Sequence, residues 1–262
     1  MDYLCNKFRP RDTDIILATY PRSGTTWLQN ALHLLRHKKK LESNILDSIP
    51  FLILPQFDSD KKLKPEFEAI PPPRILKTHL AWDIVPKNDK CKYIYCYRNP
   101  KDVFVSMYHH TIASHGFGYD GSISDFWDLY LKGEVEYGSW FDHVIGWWQQ
   151  KDNPNMYLLS YEDLQTNFKD KIEEIAAFTG LELTEELYEL IAEECSFKTM
   201  KSNKFVEKIF TPKPGENSAH IRKGTVGGWK EVLTADQNKV IDEMIESRLK
   251  GLSIRDKLVF EL

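Results

Sequence analysis

The stretch DIILATYPRSGTTWLQNALHLLRH, residues 14–37, decides the fold. Its first seven residues form an apolar run with β-branched side chains, the pattern of a strand buried on both faces of a parallel sheet. The four residues PRSG interrupt that run. From Thr25 the spacing becomes helical, with Leu28, Leu32 and Leu35 on one stripe. A buried strand, a tight loop and a helix in that order open an α/β domain.

The sequence on either side continues the alternation. RILKTHL (74–80) and KYIYCY (92–97) read as further strands, and NMYLLSY (155–161) as a fourth. A helix is expected from Asn99–Pro100 to about His110. ISDFWDLYLKG and WFDHVIGWWQQ read as helices, as do KDKIEEIAAFTG, which ends at Gly180, and TEELYELIAEEC. A last helix starts near Thr234, a good N-cap. Residues 38–73, 116–121 and 205–228 lack a regular pattern. Long irregular segments inside a compact domain mark binding loops or lids. No internal repeat or linker divides the chain, so one domain over residues 1–262 is expected.

The chain has 262 residues, 42% hydrophobic and 28% charged, which excludes a disordered polymer or a collagen-like fibre. The formal net charge of −4 gives no reason to expect nucleic acid or an anionic membrane as partner. An anion site must be built locally. The four cysteines, Cys5, Cys91, Cys96 and Cys195, have no paired metal spacing and are too few for a disulfide framework. Cys91 and Cys96, an odd number of residues apart, belong on opposite faces of a strand. The charged N-terminal sequence has no signal-peptide pattern, and no segment approaches the roughly 20 apolar residues of a membrane span. These features fit a cytoplasmic protein.

The loop between the first strand and its helix has the chemistry of an anion site. Backbone N–H groups at a helix N-terminus, with the helix dipole behind them, favour phosphate or sulfate. Gly24 lets the backbone approach an anion, Ser23, Thr25 and Thr26 add hydroxyls, and Arg22 adds a forked cation. A plain strand-to-helix turn would use the same small residues. The loop is not a Walker A sequence, because Gly24 stands where that pattern has Lys. A magnesium-dependent nucleotide kinase also needs an acidic residue at a neighbouring strand end. KYIYCY leads instead into Arg98. Two basic anion sites imply a nucleotide phosphorylated at two places and held without a metal.

TYPRSGTTW, KTHLAW, YRNPKDVFVSMYHH, GEVEYGSWFDHVIGWW, LLSYEDL, SFKTMK and IRKGTVGGWK resemble, in order, the signature blocks of the cytosolic sulfotransferases, spanning residues 19–230. The resemblance implies a three-layer α/β/α fold with a central parallel sheet and a P-loop-like phosphosulfate-binding loop. It implies transfer of a sulfuryl group from 3′-phosphoadenosine 5′-phosphosulfate (PAPS) to a hydroxyl or amine, leaving adenosine 3′,5′-bisphosphate (PAP). By resemblance His79 is the base, with Lys77 beside it and Arg22 at the leaving group, where the family usually has Lys. Arg98, Ser106, Arg222, Lys223 and Gly224 hold the 3′-phosphate. Trp27 and Phe197 sandwich the adenine, and Tyr161 bonds its edge. Cys195, Ser196 and Met200 complete the cofactor site, Cys195 standing where the family commonly has Thr.

The resemblance places the acceptor under three loops, residues 38–73, 107–121 and 205–225. Phe51, Leu52, Tyr108, His110, Phe117 and Phe210 are candidate lining residues beside Lys77 and His79. Such a pocket suits phenols, steroids and hydrophobic alcohols, and His110, at a position often aromatic in relatives, suits a more polar one. Relatives dimerise through a short C-terminal pattern that Lys230 and Thr234 match. Ala235 and Lys239 depart from it, removing an apolar contact and reversing a charge, so a monomer is expected. Two other readings compete: a nucleotide- or lipid-binding module of the same fold without turnover, and a metal-dependent kinase. His79, Lys77 and Arg22 argue against the first, and the loop chemistry against the second.

Overall fold

Strand β1, Ile15–Thr19, is buried along its whole length because both of its faces carry apolar side chains. Ile15 and Leu17 point into one hydrophobic layer, Ile16 and Ala18 into the other. In the computed structural model, which describes residues 8–52, 68–207 and 221–258, β1 is central in a four-stranded parallel sheet. The other strands are β2 (Ile75–Thr78), β3 (Lys92–Tyr97) and β4 (Met156–Ser160), in the order β2-β1-β3-β4. Ile15 registers with Ile75 on one side and Lys92 on the other. All four expected strands are present among the described residues.

Helix α1 (Thr25–His37) follows the β1 loop. It packs on the Ile15/Leu17 side of the sheet with α7 (Phe168–Thr179) and α8 (Glu185–Glu194). The opposite layer holds α3 (Pro100–Ala113), α4 (Ile123–Lys132), α5 (Trp140–Trp148) and α11 (Ala235–Arg248). The fold is therefore three-layered, α/β/α. Tyr93, Tyr95 and Tyr97 face the second layer, and Ile94 and Cys96 the first. Cys91 falls in the Tyr layer and Cys96 opposite it, as their spacing implies. α3 runs three residues beyond the expected His110. Residues 38–73 contain a short helix, α2 (Ile45–Ser48), and Phe51 pairs with Lys77 beside β2. Between α3 and α4 the chain makes one 3₁₀ turn, His115–Phe117. Short helices α6 (Tyr161–Thr166), α9 (Phe197–Ser202), α10 (Lys204–Glu207) and α12 (Ile254–Leu258) complete the described elements with a 3₁₀ turn at Gly228–Glu231. Cys5, Phe210 and much of the two long irregular segments lie outside the described residues. No described helix is long and apolar enough to cross a membrane.

The chain crosses from β1 to β2 on one side and returns to β3 on the other. The carboxyl end of β1 is thus a topological switch point, where open α/β sheets form their ligand crevice. At the other end of the sheet, Asp14 and Arg74 precede the paired strands β1 and β2. Arg74 donates from Nε to Asp14 Oδ1 at 3.1 Å and from Nη2 to Oδ2 at 2.6 Å, and both side chains are fully buried. The Arg11 backbone N–H also donates to Asp14 Oδ2, and the Phe8 ring lies 5.3 Å from the guanidinium. Removing one partner of such a pair strands a buried charge at a cost of about 3–5 kcal/mol. Arg74→Ala is expected to lower unfolding stability by that amount in a urea titration. A midpoint within experimental error of wild type would contradict the clamp.

Candidate functional site

The carboxyl ends of β1, β2 and β3 each bring in a basic residue. Arg22 follows β1, Lys77 is the penultimate residue of β2, and Arg98 follows β3. They converge because adjacent parallel strands end side by side. All three line one cavity of about 430 Å³ with His79, Trp27, Tyr161, Phe51 and His110.

The loop after β1 is bent into an anion cradle. Arg22 has φ 68 and Gly24 φ 92, both left-handed. A Cβ on Gly24 would lie 2.8 Å from Tyr161 Cδ2, so only glycine fits without displacing that ring. No side chain caps α1, and its first turn contains no acidic residue. The backbone N–H groups of such an uncapped helix N-terminus suit an anion. Thr19 and Thr25 hydroxyls share a hydrogen bond of 2.6 Å. Ser23 Oγ and Trp27 Nε1 are buried with no hydrogen-bond partner. Ser23 is fully buried in the loop and is not part of the cavity wall, whereas Arg22, Gly24, Thr25, Thr26 and Trp27 are.

Arg22 Nε donates to Ser106 Oγ at 3.2 Å, and Arg98 Nη1 to the Arg22 carbonyl at 3.2 Å. The spacing from Arg98 to Ser106 thus brings both against the loop. Arg98 Nη2 also donates to the Thr225 carbonyl at 2.8 Å and sits 3.9 Å from Asp102. Its guanidinium lies 4.2 Å from the Tyr161 ring centroid, and its buried Nε has no partner. Arg222, Lys223 and Gly224 line the same end. A Cβ on Gly224 would meet Phe197 at 2.4 Å, which ties that segment to the exposed Phe197 ring. Cys195, Ser196 and Met200 also line the wall. Ser196 caps α9, and Asn30 Nδ2 donates to Cys195 Sγ at 3.6 Å. The residues present fit a nucleotide carrying phosphates at two places.

Sequence reasoning missed Phe168. Its ring is parallel to Trp27 at 5.4 Å, so one indole face is covered and the indole is held upright at the cavity wall. Nothing in its local pattern distinguishes it from a helix-start core residue.

His79 Nδ1 is 2.8 Å from the Thr19 carbonyl oxygen. A carbonyl only accepts, so Nδ1 carries the proton and Nε2 the lone pair. The segment is braced from behind. Tyr95 Oη donates to His143 Nδ1 at 2.9 Å, and His143 Nε2 donates to the His79 carbonyl at 3.0 Å. His79 borders the cavity yet lies deep in the protein. Burial, Lys77, His143 and Arg22 push its pKa well below the usual range against the Thr19 bond. Burial and Arg22 lower Lys77 to about 8. The Lys77 ammonium lies 4.3 Å from the Phe51 ring centroid, and among the described residues it meets no carboxylate.

At the far end, Phe51 and Tyr137 meet His79 edge-on at 5.3 and 5.2 Å, and Phe117 meets His110 at 5.5 Å. Burial, Arg22 and Lys77 lower His110 to about 3, which keeps it neutral. Tyr108 departs from expectation: it is not on the cavity wall but packs on Phe126 and His109. On α3, Ser106 and His110 share a face four residues apart, and Tyr108 is turned about 200° from Ser106. Leu52 is likewise away from the wall, buried against Phe8 and Leu76.

The chain matches the sulfotransferase domain family over residues 12–253. It is 35% identical to human sulfotransferase 1C2 over 260 residues, covering 94% of this chain and 86% of the relative. It is 35% identical to mouse sulfotransferase 1B1 over 262 residues, covering 95% and 86%. The mouse sulfotransferase SULT7A1, solved in complex with PAP, superposes with TM-score 0.78 at 29% identity, over 98% of this chain and 92% of that one. Retinol dehydratase, solved with retinol and PAP, does so with TM-score 0.78 at 28% identity, over 93% and 82%. The family model spans residues 12–253 and relatives 35% identical are matched over 94–95% of this chain, so the protein belongs to the sulfotransferase family.

Proposed function

We propose that this protein transfers the sulfuryl group of PAPS to a hydroxyl of a small, largely apolar acceptor such as a phenol, steroid or alcohol. The observation that carries the reading is one continuous cavity. It joins the α1 N-terminus and the Arg98 site to the neutral His79 ring.

The roles follow from position. The loop N–H groups, Thr25 and Thr26 hold the 5′-phosphosulfate. Arg98, Ser106, Arg222, Lys223 and Gly224 hold the 3′-phosphate. Trp27 and Phe197 flank the adenine, with Tyr161, Cys195, Ser196 and Met200 around it. The acceptor oxygen forms its bond to sulfur while the bond from sulfur to the 5′-phosphate oxygen breaks. The electron pair leaves on PAP, and His79 Nε2 takes the hydroxyl proton. A base on one side and cations on the other are what this charge movement requires. Lys77 and Arg22 are placed to meet the transferring and leaving oxygens. Arg22 supplies a permanent charge there, since a guanidinium does not deprotonate. Phe51, His110 and Phe117 line the acceptor end.

We read residues 1–262 as one domain acting as a cytoplasmic monomer, without nucleic-acid or membrane partners. In support, Thr234 is engaged within its own chain, capping α11 with Gln237. Lys239 is 3.8 Å from Glu243 on the same helix.

Incubation with sulfur-labelled PAPS and a phenol panel tests the activity. Label should transfer equally with and without EDTA, and His79→Ala should lose on the order of 10²-fold or more in rate while PAP affinity is kept. Transfer undiminished in folded His79→Ala would sink the assignment of the base. The pH profile tests Lys77. For PAPS, kcat/KM reports the free enzyme. His79 stays neutral below its ordinary pKa, so the profile should be flat on the acid side of neutrality. It should fall with a midpoint at about 8 as Lys77 deprotonates. Lys77→Arg should move that limb far upward, because arginine stays charged. A wild-type profile level to pH of about 10, the ordinary lysine range, would contradict it.

A further inference from the structure

The two ends of the cavity differ in charge. At the nucleotide end the carboxylate is already engaged: Asp102 accepts from the Gly227 N–H at 2.8 Å and the Trp229 N–H at 3.1 Å. At the acceptor end the wall contains Glu136. Among the described residues, no Lys, Arg or His lies within ion-pair distance of its carboxylate, and no side chain hydrogen-bonds to it. Partial burial holds its carboxyl above the usual range. After burial itself, its charge is what raises the Tyr20 and Tyr137 hydroxyls, so it stands near both.

A glutamate on a slack surface loop would be an ordinary solvated charge. Glu136 sits on a fixed turn. Tyr137, the next residue, has φ 67, a left-handed conformation that costs a bulky side chain energy, and Gly138 follows at φ 73. Two contacts hold the turn there: the Tyr137 ring lies edge-on to His79 at 5.2 Å, and Tyr20 Oη donates to the Gly138 carbonyl at 2.8 Å. Successive Cα atoms are about 3.8 Å apart, so Glu136 begins one residue from the ring that borders the proposed base. The strained turn is what sets a carboxylate on the acceptor wall.

Lys77 and Arg22, the charged wall residues at the sulfuryl end, are positive. They would repel a cation there. A cationic acceptor therefore has one favourable orientation, with its hydroxyl toward His79 and its positive group toward Glu136. We propose that Glu136 is an ammonium-binding site, and that the preferred acceptors are phenols or alcohols bearing a protonated amine. This rests on the sulfotransferase reading above and narrows its acceptor class.

Tyramine and 4-ethylphenol differ chiefly in the ammonium group. Calorimetry on the PAP-saturated protein should find tyramine bound at least about 10-fold more tightly, as a site built for a polar group discriminates against the analogue lacking it. Glu136→Gln should erase that difference, with PAP affinity as the folding check. In wild type alone, added salt should weaken tyramine binding and leave 4-ethylphenol binding level. The kcat/KM ratio for labelled transfer to the two acceptors should fall by the same factor in the variant. Equal wild-type affinities, salt-independent tyramine binding, or a tyramine preference that survives Glu136→Gln would overturn the proposal. Transfer to either acceptor would still uphold the sulfotransferase reading. A Glu136-dependent preference in binding, with no label transferred to either compound, would sustain the ammonium site and contradict that reading instead.

Discussion

Positive charge concentrated at the carboxyl ends of parallel strands is the constraint on which this molecule is organised. Arg22 and Lys77 come close enough, with burial, to bring the lysine down to about 8. The same two cations help keep His79 and His110 neutral. Such crowding is unfavourable in the free protein and becomes favourable when an anion enters. The sheet order, the bent loop and the uncapped helix all serve to hold the cations where one anion can meet them. The Asp14–Arg74 pair at the opposite sheet end fixes the register of β1 and β2, and so the relative placement of Arg22 and Lys77.

The same field sets the chemistry of His79. Its Nδ1 proton is committed to the Thr19 carbonyl, and the cations around it oppose a second proton. The imidazolium form of this ring is therefore disfavoured while no negative charge lies beside it. On the proposed function, a bound phosphosulfate would supply that charge and so couple nucleotide binding to proton uptake by His79. The hydrogen bonds from Tyr95 to His143 and from His143 to the His79 carbonyl brace the segment that carries the ring.

Much of this was legible in the sequence because it is local. Residues 14–37 read directly as strand, loop and helix. Strand period two correctly separated Cys91 from Cys96. What was illegible depends on pairs far apart in the chain. Nothing near Arg74 announces Asp14, and nothing near Phe168 announces the Trp27 ring it supports. Thr225 offers Arg98 a backbone carbonyl, which no side-chain pattern records. Tyr108 failed for a local reason that could have been weighed: helical rotation turns it away from the face Ser106 and His110 share. Tyr137 and Glu136 stood inside a recognised block, but the left-handed turn that sets them on the wall has no signature in those residue types.

On the proposed function, separate cationic sites read two phosphates of one nucleotide. Calorimetric titration of the wild-type protein with PAP, adenosine 5′-monophosphate and adenosine 3′-monophosphate tests it most directly. The account predicts that removing either phosphate weakens binding by at least about 10-fold, the scale of losing charge-assisted hydrogen bonds. Adenosine 5′-monophosphate binding as tightly as PAP would contradict it, because the Arg98 site would then be reading nothing.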